Sequence, residues 1–583
     1  MFGQKVFRKE LVAAFLVVFL VSTFLSLQQG FSKPVESLES SSLAKIPAEQ
    51  LAAISSSEIR SHLSFLASPE LEGRYTFSSG NKIAARYLAS QLQFYGYRGA
   101  AKDGSYMQKI VFASKKLDST ASHLAVEQGS KFGFGDDFFT PEPSAVDLES
   151  EVVFLGYGIS SPSIGYDDYE GFDLKGKIAL ILGGFPKNIS GYKDEERFIN
   201  AAKAHGARAV LVLPESLRPI KWGQLAPLVT EPPEIFTEKR SLEVSFPYFF
   251  LNPNAAKELL ATSGIDFEQL LQQVRAGEKI SSKQLSKKVS LKVVMQQIKE
   301  TTQNVAGIYE GSDPRLKNEY ILLSAHYDHL ESSNGTIYPG ADDDGSGVSA
   351  LLAIARSLAT GERPKRSIIV VFHTAEEIGL FGSLYFTDYE PLVPLKSIIA
   401  NLNMDMIGRS RSPNQTSTAD KELADKDSLY VIGSDKHSTE VHKLSEQTNQ
   451  EVTGFHLDYR YNDESHYLQL FYRSDHYNYA RHAIPIIFYF TGLHADYHQP
   501  SDTIEKIDFD KLTKVAKLIY ATAWRLANLS QRPVVDLWKS AAISPTVNEI
   551  EVYKNSQTAV DRPTKIQRVE KPRAGKRTRR AER

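Results

Sequence analysis

Five short segments in the second half of the chain carry the residue types that hold metal ions and move protons. They are Ser324-Ala-His-Tyr-Asp328, Gly340-Ala-Asp-Asp-Asp-Gly-Ser-Gly347, Thr374-Ala-Glu-Glu377, Asn403-Met-Asp-Met-Ile-Gly408 and Asp496-Tyr-His-Gln-Pro500. Together they offer imidazoles and carboxylates and no thiolate. Such donors suit two hard-to-borderline divalent cations a few ångströms apart, and a cation pair activates one water for attack on an amide.

Taken singly, each segment also has a bland reading. His326 and Asp328 form an i, i+2 pair at the end of an apolar run, where the carboxylate can orient a metal-binding imidazole; a surface His beside an Asp has the same spelling. His329 reads as a bystander. Asp342, Asp343 and Asp344 repel one another, which either a solvated loop or a bound cation tolerates, and Asp343 is the favoured bridge between two cations. Glu376 and Glu377 follow an apolar strand; they are acids at a helix start, favoured by its dipole, or a ligand and a general base. Asp405, between Met404 and Met406, is costly in an apolar setting unless paired or metal-bound. His498 lies in a loop containing Asp and Pro. Ser474-Asp-His476 and His494 add polar clusters nearby.

From Asn304 onward apolar strands alternate with helical segments. Tyr320–Ser324, Ser367–Phe372, Ile398–Met404, Leu429–Ile432 and Ile484–Tyr489 read as strands; Val348–Leu358, Gly379–Tyr389 and Phe509–Leu526 read as helices. Solid apolar strands alternating with helices predict a doubly wound α/β fold, its sheet largely parallel and covered on both faces. Ligands bind such sheets beyond the carboxyl ends of the strands, where His326, Glu376, Glu377 and Asp405 fall. Upstream, Glu58 to Gly96 predicts two amphipathic helices around the loop Leu71–Gly80. Residues 149–251 predict a smaller module, with strands at Val152–Gly158, Ile178–Leu182, Ala209–Leu213 and Pro247–Leu251 and a helix at Phe198–His205. Gln272–Ser290 reads as polar and helical.

With 583 residues the chain is too long for one ordinary core. Apolar content of 42% and charged content of 24% are globular values, and a net charge of -2 excludes a general polyanion binder. The absence of cysteine excludes disulfides, thiolate metal sites and a Cys nucleophile. Lys5, Arg8 and Lys9 precede an uncharged apolar run, Leu11 to Leu27, which reads as an export signal cleaved near Gln28–Ser32, or else an uncleaved anchor. Export to the periplasm or the exterior follows, with membrane contact only through that segment if it is retained. After Asn528 the pattern fades, and Asp561–Arg583 holds ten Lys/Arg against three Asp/Glu, a basic tail that reads as disordered.

The five motifs, in this order and spacing, resemble the di-zinc aminopeptidase family, whose relatives include bacterial leucyl aminopeptidase, glutamate carboxypeptidase II and the transferrin receptor. The resemblance runs from about Glu58 to Leu526 and takes in Leu71-Glu-Gly-Arg74 and Gly104-Ser-Tyr106. Gly156-Tyr-Gly158, Tyr166-Asp-Asp-Tyr169 and Lys175-Gly-Lys177 are similar to the protease-associated domain inserted in many members. The resemblance implies two zinc ions per chain: His326 and Asp405 on one, Glu377 and His498 on the other, Asp343 bridging. Glu376 would be the general base acting on a metal-bridging water, Asp328 would orient His326, and Tyr497 would stabilise the oxyanion. The Asp343–Asp344 peptide is often cis in such proteins. The implied organisation is a signal or anchor at 1–32, a linker at 33–57, peptidase domain at 58–140 and 291–530, the insert at 141–290 and the tail at 531–583. The implied activity is zinc-dependent removal of N-terminal residues from peptide substrates, with no nucleic-acid partner. A carboxypeptidase or dipeptidase on the same metals is an alternative; it needs a cation for a terminal carboxylate, and Arg409 and Arg473 lie near the motifs. A silent binding protein is the other alternative, against which no expected ligand is missing.

Overall fold

The computed structural model describes residues 43–537, apart from 142–143, 162–164, 187–195, 219–232, 237–245, 414–416 and 464. The predicted export segment, residues 33–42 of the predicted linker and residues 538–583 of the basic tail lie outside the described residues; the rest of the predicted linker includes a short helix, Ala48–Ala53.

One long mixed sheet runs through the molecule. One half of it has the order His456–Asp458, Ser428–Ile432, Ile486–Phe490, Ile398–Met404, Tyr320–His326, Ser367–His373. The inner four strands are mutually parallel, and Ser428–Ile432 is antiparallel to its inner neighbour. Every residue of Tyr320–His326, Ser367–His373 and Ile398–Met404 is buried, because both faces are covered. On one face lie Gly347–Ala359 and Phe509–Asn528 together with Ser56–Leu66 and Ser79–Phe94. On the other, Phe386, Tyr461, Phe471 and Tyr479 close over Leu322, Ile369, Val371 and Ile486. Each fully buried aliphatic side chain contributes about 1.5–3 kcal/mol by leaving water. Side chains of Ser55, Ser78 and Asp508 cap the three outer helices, accepting from the amides of Glu58, Asn81 and Lys511. The fold is therefore α/β with a largely parallel, doubly covered sheet. Among the described residues no helix is long and apolar enough to cross a membrane.

The expected helical character of Gln272–Ser290 holds only in part. A helix covers Phe267–Ala276 and stops at Gly277, whose φ of 77° is the left-handed cap that terminates it. From Lys283 the chain is strand for 27 residues, to Tyr309. Polar residues misled the reading: alternate positions Val289, Leu291 and Val293 are buried while their neighbours face out, a period of two rather than 3.6. Long strand partners reinforce it, Val146–Phe154 on one side and Met107–Val126 on the other. Gly379–Tyr389 likewise is not one helix but a turn, Phe381–Leu384, followed by a wider coil, Tyr385–Tyr389, after Leu380 adopts a left-handed φ of 55°.

This long strand joins two cores. The second core draws on residues from Leu117 to Met295. Within it Val146–Phe154, Ile178–Leu182, Ala209–Leu213 and Tyr248–Leu251 run parallel in that order, flanked by Pro253–Ala261 and Phe267–Ala276.

Candidate metal centre

The five motif segments converge at the carboxyl ends of the parallel strands. His326 ends its strand with Nε2 at 3.3 Å from Asp343 Oδ1 and 3.6 Å from Asp405 Oδ1. His498 Nε2 lies 3.2 Å from the other Asp343 oxygen, Oδ2, and 3.1 Å from Glu377 Oε2. Asp343 thus turns one oxygen to each cluster. Ligand atoms of His326, Asp343 and Asp405 fall within 4.8 Å of one another, and so do those of His329, Asp343 and Glu377.

Local backbone explains the convergence. Ala375, Met406 and His498 have φ of 58°, 54° and 56°. These left-handed turns next to or at the functional side chains bend the chain sharply as it leaves each strand; such conformations persist only where surroundings impose them. The Asp343–Asp344 peptide bond is cis. The three adjacent aspartates then have separate duties. Asp342 accepts from the Gly408 amide at 2.7 Å and faces His494 Nε2 at 3.2 Å. Asp344 accepts from Gly347 at 3.0 Å and Met406 at 3.1 Å. Gly347 is required here, since a Cβ would sit 2.5 Å from the Asp344 carboxylate. Asp343 faces the imidazoles. Beneath them Asp502 Oδ2 accepts from the amides of Asp342 and Asp343, at 2.9 and 3.2 Å.

Asp328 faces His326 Nδ1 with both its main-chain carbonyl and its carboxylate. His326 Nδ1 lies 3.1 Å from the Asp328 main-chain carbonyl, while the carboxylate is at 3.8 Å. That carboxylate also accepts from the Glu376 amide at 3.1 Å and from Thr76 Oγ1 at 2.9 Å, so it fixes the start of the Glu376-Glu377 segment. Glu376 Oε2 reaches to 4.0 Å of His326 Nε2. Tyr497 lines the same cavity, its ring stacked on His498 at 3.8 Å.

His329, which the sequence reads as a bystander, belongs to the centre: its Nδ1 is 2.6 Å from Glu377 Oε1. Its signal was its place one residue after Asp328, at a sheet end already committed to ligands. Arg74 was likewise missed as a support. Its buried guanidinium donates to the carbonyls of Leu66, Tyr327, Pro339 and Gly340 at 2.6–3.0 Å, tying the Leu71–Arg74 segment to both the His326 and Asp343 loops.

The electrostatics ask for cations. Asp343, Glu376 and Asp405 are 3%, 4% and 7% exposed, and three like charges so deeply buried are expensive without compensation. Burial drives the Glu376 carboxyl well above its usual range, and Glu377 and Asp405 add to this against the opposing pull of His326. Asp343 is driven the other way: burial would raise it, but His329, His326 and His498 hold it well below. Burial and Asp343 would raise Glu377 too, yet His498 and His329 bring it down to about 2. Burial would lower His326, but Glu376 and Asp405 raise it well above. Asp343 Oδ2 has no hydrogen bond among the described residues. A nitrogen and oxygen donor set of this kind, with an acceptor lone pair left over between two imidazoles, fits two divalent cations sharing Asp343.

The model of peptidase family M28 matches residues 304–523. The chain is 28% identical over 389 residues to aminopeptidase YwaD of Bacillus subtilis (strain 168), covering 64% of this chain and 69% of that protein. It is 39% identical over 126 residues to a probable leucine aminopeptidase 2 of Aspergillus oryzae (strain ATCC 42149 / RIB 40), covering 22% of this chain and 23% of that one. The chain thus spans under a quarter of the fungal relative. Among solved structures, BSAP, a zinc aminopeptidase from Bacillus subtilis, aligns with a TM-score of 0.42 at 21% identity over 85% of this chain and 100% of that chain. All five predicted metal-ligand positions and Glu376 fall inside residues 304–523, the segment that the model of peptidase family M28 matches.

Proposed function

We propose that the chain is a zinc-dependent exopeptidase that releases N-terminal residues from peptides. The observation that carries this is Asp343, whose two oxygens face His326 and His498 from opposite sides at 3.3 and 3.2 Å. His326 and Asp405 would hold one zinc ion, Glu377 and His498 the other, and Asp343 both. When bound, such a pair lowers the pKa of a water and polarises a carbonyl. Glu376 supplies the proton relay: its carboxyl, pushed up by burial and by its acidic neighbours, suits accepting a proton from water and passing it to the leaving amine. The Asp328 carboxylate keeps Glu376 in place through its amide. Tyr497, packed on His498, offers its hydroxyl to the developing oxyanion. Carboxylate oxygens at the cavity wall can accept from a substrate's free α-amine, which a blocked substrate does not offer.

The segment that is similar to a protease-associated domain lies in the second core and would shape access to the cavity. The basic and then apolar N-terminus supports export. Peptides are the substrates of this reading.

The test is hydrolysis of leucine p-nitroanilide by the zinc-loaded chain, compared with its N-acetyl counterpart. Turnover of the free amine alone is expected. Equal turnover of both, or none of either with two zinc ions bound, overturns the reading.

A further inference from the structure

Arg473 lines the same cavity as His326, Asp343, Glu376, Glu377 and Asp405, among Leu470, Phe488, Phe490 and Leu493. It is 9% exposed, and its Nε and Nη1 have no hydrogen-bond partner among the described residues. The contrast with Arg409 is instructive. Arg409 is equally buried, but it donates to Asp496 at 2.8 Å and lies 3.7 Å from Asp502 and 3.4 Å from His494. Its donors are in use and its charge is matched, so it is structural. Arg473 has no such partner, and a buried guanidinium with idle N–H groups is costly unless something arrives to meet them.

The charge balance says what arrives. Resting on the zinc reading above, two divalent cations offset the formal charges of Asp343, Glu376, Glu377 and Asp405. No carboxylate that lines the cavity is then left to pair with Arg473, which shares the cavity wall with Leu470, Phe488, Phe490, Leu493 and Tyr497. A planar fork of donors in a dry site matches a carboxylate.

We infer that Arg473 is a substrate-anchoring residue that receives a carboxylate of the peptide being cleaved. Two sources share this chemistry. One is the free C-terminal carboxylate of a dipeptide, one residue beyond the scissile bond. The other is an acidic side chain on the N-terminal residue.

Two substrate pairs distinguish them: leucyl-glycine against leucyl-glycinamide, and glutamyl against leucyl p-nitroanilide, all with the zinc-loaded full chain. In one pair the carboxylate-bearing member should have the higher kcat/KM by about 10- to 100-fold, the worth of a charge-assisted hydrogen bond, carried mainly by KM. Arg473→Met should abolish that advantage, and Arg473→Lys should restore part of it. The pair that responds names the source. Binding of leucyl-glycine and leucyl-glycinamide to Glu376→Gln, followed by calorimetry, and of glutamic acid α-amide against leucinamide, reads the same preference without turnover. The inference is overturned if neither pair shows a preference, or if the preference survives in both Arg473 variants. Failure of the aminopeptidase reading looks different: the leucyl anilide is not cleaved at all, while the binding comparison still reports on Arg473.

Discussion

His329 Nδ1 lies 2.6 Å from Glu377 Oε1, and the opposite oxygen of the same carboxylate faces His498 Nε2 at 3.1 Å. The imidazole either orients Glu377, donating Nδ1–H to one oxygen while the other faces the cation site, or joins the ligand set itself. Both roles act on the second cation alone, because His326 and Asp405 lie in the other cluster. His329→Phe should therefore weaken one of two zinc sites by about 10- to 100-fold. Competition with a zinc chelator should resolve one weakened site and one near-normal site. Two unchanged sites would remove His329 from the centre.

Asp343 is shared, so its loss should not be selective. In Asp343→Asn neither cluster keeps its acidic bridge, and zinc content should fall from two toward none. Asp405→Asn, which touches only the His326 cluster, should lower content toward one. Equal metal contents in these two variants would show that Asp343 does not bridge.

In the proposed function Glu376, whose Oε2 lies 4.0 Å from His326 Nε2, transfers the proton and holds no metal. Glu376→Gln should retain both zinc ions and lose about 100- to 10,000-fold in kcat, the usual weight of general acid–base catalysis. Near-normal hydrolysis of leucine p-nitroanilide by a fully loaded variant would end its role as base.

The parallel half of the sheet was legible because its strands are buried on both faces, and burial on both faces leaves an unbroken apolar signature: Ser367–His373 and Ile398–Met404 could be read within a residue. The five motifs were legible because charged residues immediately after such strands have few structural reasons to be there. The long strand Lys283–Tyr309 was not legible. It is covered on one face only for much of its length, and its exposed Lys and Gln positions hide a period of two. The supports of the site were hidden for another reason. Arg74 and Asp502 act on main-chain atoms more than 150 residues away, and no local pattern records which backbone groups a distant side chain will meet. His329 was obscured by its neighbours: beside His326 and Asp328 it looked redundant, and only the position of Glu377 gave it a partner.

Arg74 should matter to folding before it matters to chemistry. It satisfies four carbonyls that are buried with it, and Gly73 beside it leaves no room for a Cβ, which would meet the Leu330 carbonyl at 2.5 Å. Removing the guanidinium strands those acceptors at about 1–3 kcal/mol each. Arg74→Met should thus lower unfolding free energy by at least about 3 kcal/mol in urea, with zinc recovering part of the loss by mass action. A denaturation midpoint equal to wild type would show the four bonds to be dispensable.

Two buried histidines make the fold sensitive to acid. Burial, with a smaller contribution from the charge of His326, lowers His373 to about 3. Burial likewise lowers His476 to about 3, although its bond to the Phe471 carbonyl opposes this. In the unfolded chain each titrates near the ordinary 6.5. Between those values the unfolded state binds the extra proton and the folded state does not, so stability rises with pH across that window and is lost as pH falls from about 6.5 toward 3. Each shift is worth at most about 5 kcal/mol at the acid end. His476→Gln keeps a donor for Phe471 and removes one titrating group. With zinc stripped from both proteins, so that release of cations does not contribute, the variant should show a shallower fall of unfolding free energy between pH 6 and pH 4, by about one proton. Parallel curves for the two proteins would mean that His476 takes up its proton in the folded state and does not contribute to this sensitivity.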